Sequence, residues 1–332
     1  MQDTVQLICI KDVELQEVEW LWKPYIPFGK LVAIQGDPGD GKTTLALRIV
    51  AACSTGAALP NGEQHDPFPV IYQTVEDGLG DTVKPRLIEA GANEELVFSI
   101  DDGDEPLMFS DKRIEAAIRR TGARLMIFDP IQAFFDSKTN MNSARDVRAV
   151  LKKLGAVAEN TGCAIVLIGH LNKMQGANSS YRGLGSIDIR AACRSVLLVG
   201  RQRKDEFIRV MVHDKSSLAP EGKSVAFRLG DEEGFRWIEG YESVRGRELL
   251  NGEPGDTKKA VAVELILEML DSGEPVAQSD IQSAATERGI SKRTLDEAKK
   301  EIGEIKSRKV GTQWMWQLPQ VEPNEECNSA TG

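Results

Sequence analysis

The chain has few of the residues that build disulfide or metal frameworks. Five cysteines and three histidines are scattered over 332 residues, and no two cysteines form a Cys-x-x-Cys pair. Neither a disulfide scaffold nor a zinc ribbon is therefore expected. Free, dispersed thiols fit a reducing compartment, so the predicted location is cytoplasmic.

Long apolar runs and an excess of positive charge are also missing. The mean hydropathy is -0.29, and no apolar stretch reaches the ~20 residues that cross a bilayer, so no membrane partner is predicted. The first residues lack a basic segment followed by an apolar one, so no signal peptide is expected. The net charge of -10 argues against unspecific coating of nucleic acid, but it leaves room for local basic surfaces that bind DNA.

Composition shifts along the chain predict two domains with flanking segments. Residues 1–28 form an N-terminal arm that ends in aromatic residues and prolines, which indicates a packed extended segment. Residues 29–240 carry the main domain, and 241–257 are rich in glycine, proline and charge, as in a linker. A small second domain spans 258–318, and the polar tail 319–332 is predicted to be disordered.

Strand-length apolar runs alternate with helical patterns in the main domain. The runs are Leu31–Gln35, Val70–Thr74, Leu96–Ile100, Leu125–Phe128 and Ala164–Ile168. Such alternation predicts an α/β fold with a parallel sheet. Four further runs between residues 195 and 238 are separated by turn residues, and they predict antiparallel strands added to one side of that sheet.

A phosphate-binding motif follows the first of these strands. The segment Gly36-Asp37-Pro38-Gly39-Asp40-Gly41-Lys42-Thr43 fits G-x-x-x-x-G-K-[ST], and a helical pattern begins directly after it, with Thr44 in its first turn. Glycines allow backbone N–H groups to surround phosphate oxygens, and the helix directs its positive end at the same anion. Lys42 is expected to contact the β- and γ-phosphates of ATP, and Thr43 one position of Mg²⁺.

A second acidic position follows another buried strand. In Arg124-Leu-Met-Ile-Phe-Asp129-Pro130 an apolar strand ends in an aspartate, the pattern known as Walker B. Asp129 is therefore predicted to hold Mg²⁺, although an ordinary Asp-Pro turn has the same local sequence.

The residues that promote hydrolysis are expected at the same end of the sheet. Glu76 and Asp77 follow the strand Val70–Thr74, and the carboxyl ends of parallel strands converge on one crevice. We assign the general base to Glu76, with Asp77 as the alternative. His170, which follows the strand Ala164–Ile168, can sense the γ-phosphate or can be a core histidine.

Taken in order, these motifs resemble RecA-like hexameric ATPases, and more closely the plasmid RepA-type and DnaB-type helicase group with its phage- and plasmid-borne AAA relatives. The resemblance covers residues 20–318 and extends to Ile168-Gly-His170-Leu-Asn172-Lys173, Tyr181-Arg182-Gly-Leu-Gly-Ser186, Ala192-Cys-Arg194-Ser and Lys215-Ser-Ser-Leu-Ala-Pro. It implies a RecA-like P-loop fold, a homo-oligomer, typically a hexamer, and ATP bound between subunits.

The resemblance also implies roles for individual residues. Glu76 becomes the catalytic glutamate and His170 the γ-phosphate sensor, while Arg194 and Lys215 become candidate fingers that reach the ATP of a neighbouring subunit. DnaB-type helicases carry Lys-x-Arg where this chain has Lys215-Ser-Ser217. The missing arginine predicts either slow hydrolysis or a larger part for Arg194.

Two sets of residues are predicted to contact DNA. In a RecA-like ring the loops after the Asp129 and His170 strands face the central channel. There Lys138, Lys173 and Arg182 are expected to bind phosphates of single-stranded DNA, and Tyr181 to stack on a base. A mobile surface loop with no ligand is the alternative for both loops.

The second set lies in the C-terminal domain, whose helical and hairpin patterns predict a winged helix. Seven basic and four acidic residues lie between 290 and 310, a local reversal of the chain's charge. This reversal predicts duplex DNA binding, with protein contacts as the alternative. The predicted contacts are Lys292, Arg293, Lys299, Lys300, Arg308 and Lys309.

The sequence therefore predicts a DNA-dependent ATP hydrolase, and three functions share that core. The first is a ring-forming replicative-type helicase. The second is a replication regulator or helicase loader that assembles on DNA without unwinding it, which the missing finger arginine favours. The third is a kinase of the clock-protein type, which would leave phosphate on the protein itself.

Overall fold

The computed structural model describes residues 7–136, 139–140, 143–170, 187–202, 205–230, 232–246, 249, 258–270, 274–303, 305–311 and 313–318. The chain divides into two compact units, Met1–Leu249 and Leu250–Gly332. Each unit has a hydrophobic core of its own.

The first unit alternates strands and helices along the chain. Its described strands are β1 (Trp20–Trp22), β2 (Ile26–Pro27), β3 (Leu31–Gly36), β4 (Val70–Thr74), β5 (Val97–Phe98), β6 (Leu125–Asp129), β7 (Ala164–His170), β8 (Ser195–Gln202), β9 (Asp205–Ser216), β10 (Val225–Arg228) and β11 (Arg236–Ile238). Its described α-helices are α1 (Lys42–Thr55), α2 (Lys84–Glu89), α3 (Lys112–Thr121), α4 (Ala144–Thr161) and α5 (Ile187–Ala192).

Nine of these strands form one sheet in the order β11-β10-β9-β8-β3-β7-β6-β4-β5. The strands from β8 to β5 are parallel to one another, whereas β9, β10 and β11 are antiparallel additions beside β8. This is the RecA-like α/β fold that the sequence predicts, except that the first of the four later runs, β8, is parallel to β3 and not an antiparallel addition. The strand β3, which leads into the phosphate loop, lies inside the parallel part.

The sheet is buried on both faces because successive side chains of a strand point to opposite sides. Val32 and Ile34 face a core that includes Leu45 and Ile49 of α1. Leu31 and Ala33 face a second core, to which Leu151 of α4 belongs. Helices therefore cover both faces, and only the ends of the strands remain available for a site.

The aromatic end of the N-terminal arm is part of the main core. Trp22 and Tyr25 are both 1% exposed. The Trp22 indole N–H donates to the carbonyl of Pro60 at 2.8 Å, and the Tyr25 hydroxyl donates to the carbonyl of Lys223 at 2.5 Å. Residues 20–28 thus pack with the first unit, although the main domain predicted from the sequence begins at residue 29.

The edge strand β5 is shorter than the sequence predicts. Glu94–Leu96 form a 3₁₀ turn before it, and its pairing with β4 covers only Val97 and Phe98. Beyond Phe98 the Gln73 side chain, and not the backbone of β4, makes the hydrogen bonds to Ile100. Its carbonyl accepts from the Ile100 N–H at 2.9 Å, and its amide donates to the Ile100 carbonyl at 3.1 Å.

The second unit combines helices with a small sheet. In chain order its described elements are α6 (Lys258–Leu270), β12 (Val276–Ala277), α7 (Gln278–Glu287), α8 (Lys292–Ile302), β13 (Lys306–Val310) and β14 (Gln313–Gln317). The strands pair in the order β12-β14-β13. Its core packs Ile266, Leu295 and Trp316 together.

No helix in the described part of the chain is both long enough and apolar enough to cross a membrane.

Candidate ATP and magnesium site

The phosphate loop leaves the sheet at Gly36 and enters α1 at Lys42. Gly39 and Gly41 have φ values of 81° and 85°, which favour glycine. A Cβ at Gly36 would lie 2.2 Å from the carbonyl oxygen of Val199, so no larger residue fits there. Asp37 and Pro38 are exposed at the bend of the loop, and Thr44 is half-buried in the first turn of α1.

Lys42 is buried inside this loop, at 4% exposure. Its ammonium donates to the carbonyl of Asp37 at 2.8 Å and lies 3.2 Å from Nδ1 of His170. Burial lowers the pKa of Lys42, and the nearby carboxylates, first Asp40 and then Asp129, oppose that shift. The ammonium is thus held where a phosphate would replace its internal partners.

Asp129 lies beside the first turn of α1. Its Oδ2 accepts a hydrogen bond from the Thr43 hydroxyl at 2.6 Å and another from the Tyr72 hydroxyl at 3.0 Å. No described residue donates to its Oδ1, although the residue is only 8% exposed. Burial is the main cause that raises the pKa of Tyr72, and the neighbouring Asp129 adds to it, so the phenol stays a donor.

These oxygen atoms fit a magnesium ion. Mg²⁺ is bound by hard oxygen ligands and usually keeps several waters, with one or two carboxylates and substrate phosphates completing the shell. The Thr43 hydroxyl and Oδ1 of Asp129 supply oxygens of this kind next to the loop. Among the described residues no group of three or more His, Cys, Asp or Glu side chains forms a self-sufficient metal site.

The two acidic residues after β4 differ in their partners. Asp77 accepts a hydrogen bond from the Arg86 guanidinium at 3.2 Å and is half-buried. Glu76 is exposed, and no side chain in the described ranges binds its carboxylate. Its charge opposes the lowering of the pKa of both Lys42 and His170, so it lies near them.

His170 ends β7 and pairs in register with Gly36. Burial, followed by the charge of Lys42, lowers the pKa of His170. Because an ammonium only donates, the Nδ1 that faces Lys42 accepts, and the ring proton then lies on Nε2. A neutral imidazole with an Nε2–H donor suits contact with a phosphate oxygen.

The two predicted finger residues lie at the opposite end of the parallel strands. Arg194 precedes β8, and its backbone N–H donates to the carbonyl of Leu31, at the start of β3. Lys215 lies near the end of the antiparallel β9 and pairs with Val196. The structure therefore does not bring either residue to the phosphate loop of its own chain.

The two residues also differ in what they contact. The Lys215 ammonium donates to the carbonyls of Arg190 at 2.6 Å and Cys193 at 2.8 Å, and burial lowers its pKa. Arg194 is exposed, and no described residue binds its guanidinium. Within the described structure, Arg194 is thus the one of the two whose donors are available to another molecule.

The sequence does not point to one residue that contacts the loop, Arg201 of β8. Its guanidinium donates to the carbonyl of Gly39 at 3.0 Å and lies 3.5 Å from the carboxylate of Asp40. That carboxylate also accepts from the Asp37 N–H at 2.9 Å, and burial is the main cause that raises its pKa. No local sequence pattern signals this contact, because it depends on β8 lying parallel to β3, which places the carboxyl end of β8 beside the loop.

The predicted channel residues Lys138, Lys173 and Arg182, with Tyr181, lie outside the described residues. The predicted contacts of the second unit are described and fall into two groups. Exposed on α8 and β13 are Lys292, Arg293, Lys300, Arg308 and Lys309. Lys299 is different: its ammonium lies 4.1 Å from the centre of the Trp316 ring, and burial lowers its pKa.

The fold and the site together define the class of this protein as a RecA-like protein with a P-loop nucleotide-binding site. Residues 3–176 match the model of the AAA domain family AAA_25. Because this match covers just over half of the 332 residues, the chain belongs to that family.

Two curated relatives and one solved structure illustrate the similarity. The DNA repair protein RadA of Halalkalibacterium halodurans is 29% identical over 168 residues, which cover 50% of this chain and 33% of RadA. The RecA protein of Blastochloris viridis is 26% identical over 231 residues, 63% of this chain and 61% of RecA. The chain thus spans less than two thirds of either relative. The crystal structure of the RadB recombinase has a TM-score of 0.45 and 20% identity, covering 65% of this chain and 93% of that one.

Proposed function

We propose that this protein hydrolyses Mg-ATP between neighbouring copies of itself and that DNA stimulates the reaction. One observation carries the proposal. The phosphate loop, Asp129, Glu76 and His170 lie at the carboxyl ends of four adjacent strands, β3, β6, β4 and β7. In parallel sheets this is where ligands bind.

Each group has a distinct part in the reaction. Lys42 and the loop amides bind the β- and γ-phosphates, while Thr43 and Asp129 hold Mg²⁺. When bound, the ion neutralises negative charge on the phosphate oxygens. Glu76 accepts the proton of the attacking water, because its carboxylate is unoccupied by described side chains, whereas Asp77 is engaged by Arg86. His170 donates its Nε2–H toward the γ-phosphate.

The neighbouring copy completes the site. Arg194 lies at the end of the strands opposite the phosphate loop, with its guanidinium exposed, so it serves the ATP of another subunit. A cation supplied only by a neighbour makes hydrolysis depend on assembly. We propose a closed homo-oligomeric ring, with six subunits as in the helicase group that the sequence resembles.

DNA is the proposed partner on two grounds. Relatives of this chain are named DNA repair protein RadA. The second unit, which we propose to be a winged helix, exposes basic side chains on α8 and on the β13–β14 hairpin, and these suit a duplex. Lys299 serves this surface by positioning the hairpin through Trp316. Lys138, Lys173 and Arg182 are proposed to contact single-stranded DNA.

The central experiment measures ATP turnover per subunit against protein concentration, with and without single-stranded DNA. We expect turnover per subunit to rise with concentration as sites form between copies, and to rise further with DNA. A turnover that is independent of both concentration and DNA contradicts the proposal.

Binding to duplex DNA is tested through its salt dependence. Replacing Arg308 and Lys309 by alanine removes two phosphate contacts, so the slope of log affinity against log salt should fall by roughly two. The control replaces Lys152 and Lys153, which are exposed on α4 in the first unit, and should leave the slope unchanged. Equal slopes in the two variants contradict the proposed surface.

We weigh two biological roles for such an ATPase: a helicase that moves on single-stranded DNA, and a replication regulator or loader that does not unwind. The hydrogen bonds from Lys215 to the carbonyls of Arg190 and Cys193 favour the regulator or loader. They occupy the Lys215 ammonium, so Arg194 is the one residue of the predicted pair that is available as a finger. A strand-displacement assay with Mg-ATP separates them. DNA-stimulated turnover without displacement supports the regulator, and displacement supports the helicase.

A cytoplasmic location stays a prediction.

A further inference from the structure

The two oxygens of Asp129 are used unequally. Oδ2 accepts two hydrogen bonds, from Thr43 at 2.6 Å and from Tyr72 at 3.0 Å. Oδ1 accepts none from the described residues. A carboxylate fixed through one oxygen cannot rotate freely, so the direction of its other oxygen is determined by the two donors.

Tyr72 is well placed to fix that direction. It lies in the middle of β4, pairs in register with Ile127 of β6, and is 1% exposed. Its ring belongs to the same core as Val83 and Leu87. Burial in this core restrains the ring, and the hydroxyl therefore reaches Asp129 from a fixed position.

We propose that Tyr72 is a positioning residue for magnesium: its hydrogen bond to Oδ2 of Asp129 directs Oδ1 toward the ion and its water shell. This inference rests on the proposed use of Mg-ATP. Because Tyr72 is only 1% exposed, we expect it not to contact the nucleotide, and its effect should appear in the magnesium dependence of binding and not in binding of the nucleotide alone. Groups that orient a metal ligand in this way commonly change metal affinity about 10- to 100-fold when they are removed.

The test compares two tyrosine variants that each lose one buried hydroxyl. Tyr72→Phe keeps the ring and removes the bond to Asp129. The matched control is Tyr25→Phe, which removes the hydroxyl that donates to the carbonyl of Lys223 and lies in the same core. Binding of a fluorescent ADP is titrated at increasing Mg²⁺ concentrations and in excess EDTA, and thermal unfolding of the metal-free proteins is measured alongside.

For Tyr72→Phe we expect unchanged ADP affinity in EDTA and a roughly tenfold higher Mg²⁺ concentration at half-maximal binding. Tyr25→Phe should match the parent in both titrations. The inference is overturned if the magnesium titrations of Tyr72→Phe and the parent coincide. It is also overturned if Tyr72→Phe loses as much ADP affinity in EDTA as it does in magnesium, because such a loss indicates a structural role. Failure of the proposed function is seen separately, as absence of ATP turnover in the parent protein.

Discussion

The charged side chains at the two ends of the parallel strands differ in how many hydrogen-bond partners they have. At the carboxyl end, Oδ1 of Asp129 and the carboxylate of Glu76 have no partner among the described residues. At the amino end, Lys215 is bonded to two carbonyls and Arg190 to Asp214. Among these amino-end cations only Arg194 keeps its donors free of described partners, so unused hydrogen-bonding capacity separates side chains that can bind another molecule from those that hold the fold together.

The largest expected effect tests the carboxyl end. Glu76→Gln should lower ATP turnover about 100-fold or more, because the amide cannot accept the proton of the attacking water. Affinity for Mg-ATP should change little. Turnover is measured at saturating ATP, and affinity by calorimetry.

Asp77→Asn is the matched control for that prediction, since it removes the neighbouring charge and weakens the pair with Arg86. It should lower turnover only a few-fold. A greater loss in Asp77→Asn than in Glu76→Gln would transfer the role of base to Asp77.

The second prediction concerns the predicted fingers at the amino end. Arg194→Ala should lower turnover at least tenfold without changing the thermal midpoint, because we propose that its exposed guanidinium acts on a neighbour's ATP. Lys215→Met should instead lower the thermal midpoint, because two carbonyls lose their donor. Turnover and thermal unfolding are measured on both variants, and a reversed pattern would exchange the two roles.

Mixing variants tests whether Arg194 acts between subunits. Subunits with Arg194→Ala keep Glu76, and subunits with Glu76→Gln keep Arg194, so an equal mixture rebuilds about a quarter of the sites in a random ring. Turnover of the mixture should therefore exceed that of either variant alone. A mixture no more active than its components places Arg194 outside the neighbour's site.

Much of this arrangement could be predicted from the sequence because it depends on local pattern. The glycines, Lys42 and Thr43 lie in one short motif, and the ends of buried strands place Asp129 and Glu76 at the same end of the sheet. Tyr72 and Arg201 could not be predicted in this way. Their contacts depend on which strands are neighbours, and the order of β4 beside β6 and β8 beside β3 comes from the packing of the whole sheet.

The sequence predicts which strands and helices exist better than it predicts the residues at which they begin and end. The pairing of β5 with β4 ends early because the Gln73 side chain makes the hydrogen bonds to the Ile100 N–H and carbonyl. This contact joins residues far apart in the sequence, so no local pattern predicts it. The aromatic end of the arm shows the same dependence on distant residues, since Trp22 and Tyr25 are buried against partners at Pro60 and Lys223.

The smallest expected effect is on stability, and it concerns a histidine bonded to its own chain. His213 of β9 is 3% exposed; its Nδ1 accepts from the Gly222 N–H at 2.9 Å, and its Nε2 lies 3.0 Å from the Ser195 hydroxyl. Burial lowers the pKa of His213 to about 4. The unfolded chain binds this proton near pH 6.5 and the folded protein near pH 4, so stability should fall as the pH drops through that window.

At pH 5 the loss from His213 should be on the order of 2 kcal/mol relative to about pH 7.5. His213→Gln cannot take up the proton, so its stability should depend less on pH over the same range, although it is lower than the parent's at neutral pH because the Gly222 bond is disturbed. Urea unfolding at the two pH values measures both effects. Equal pH dependence in variant and parent would show that His213 is not the group that titrates.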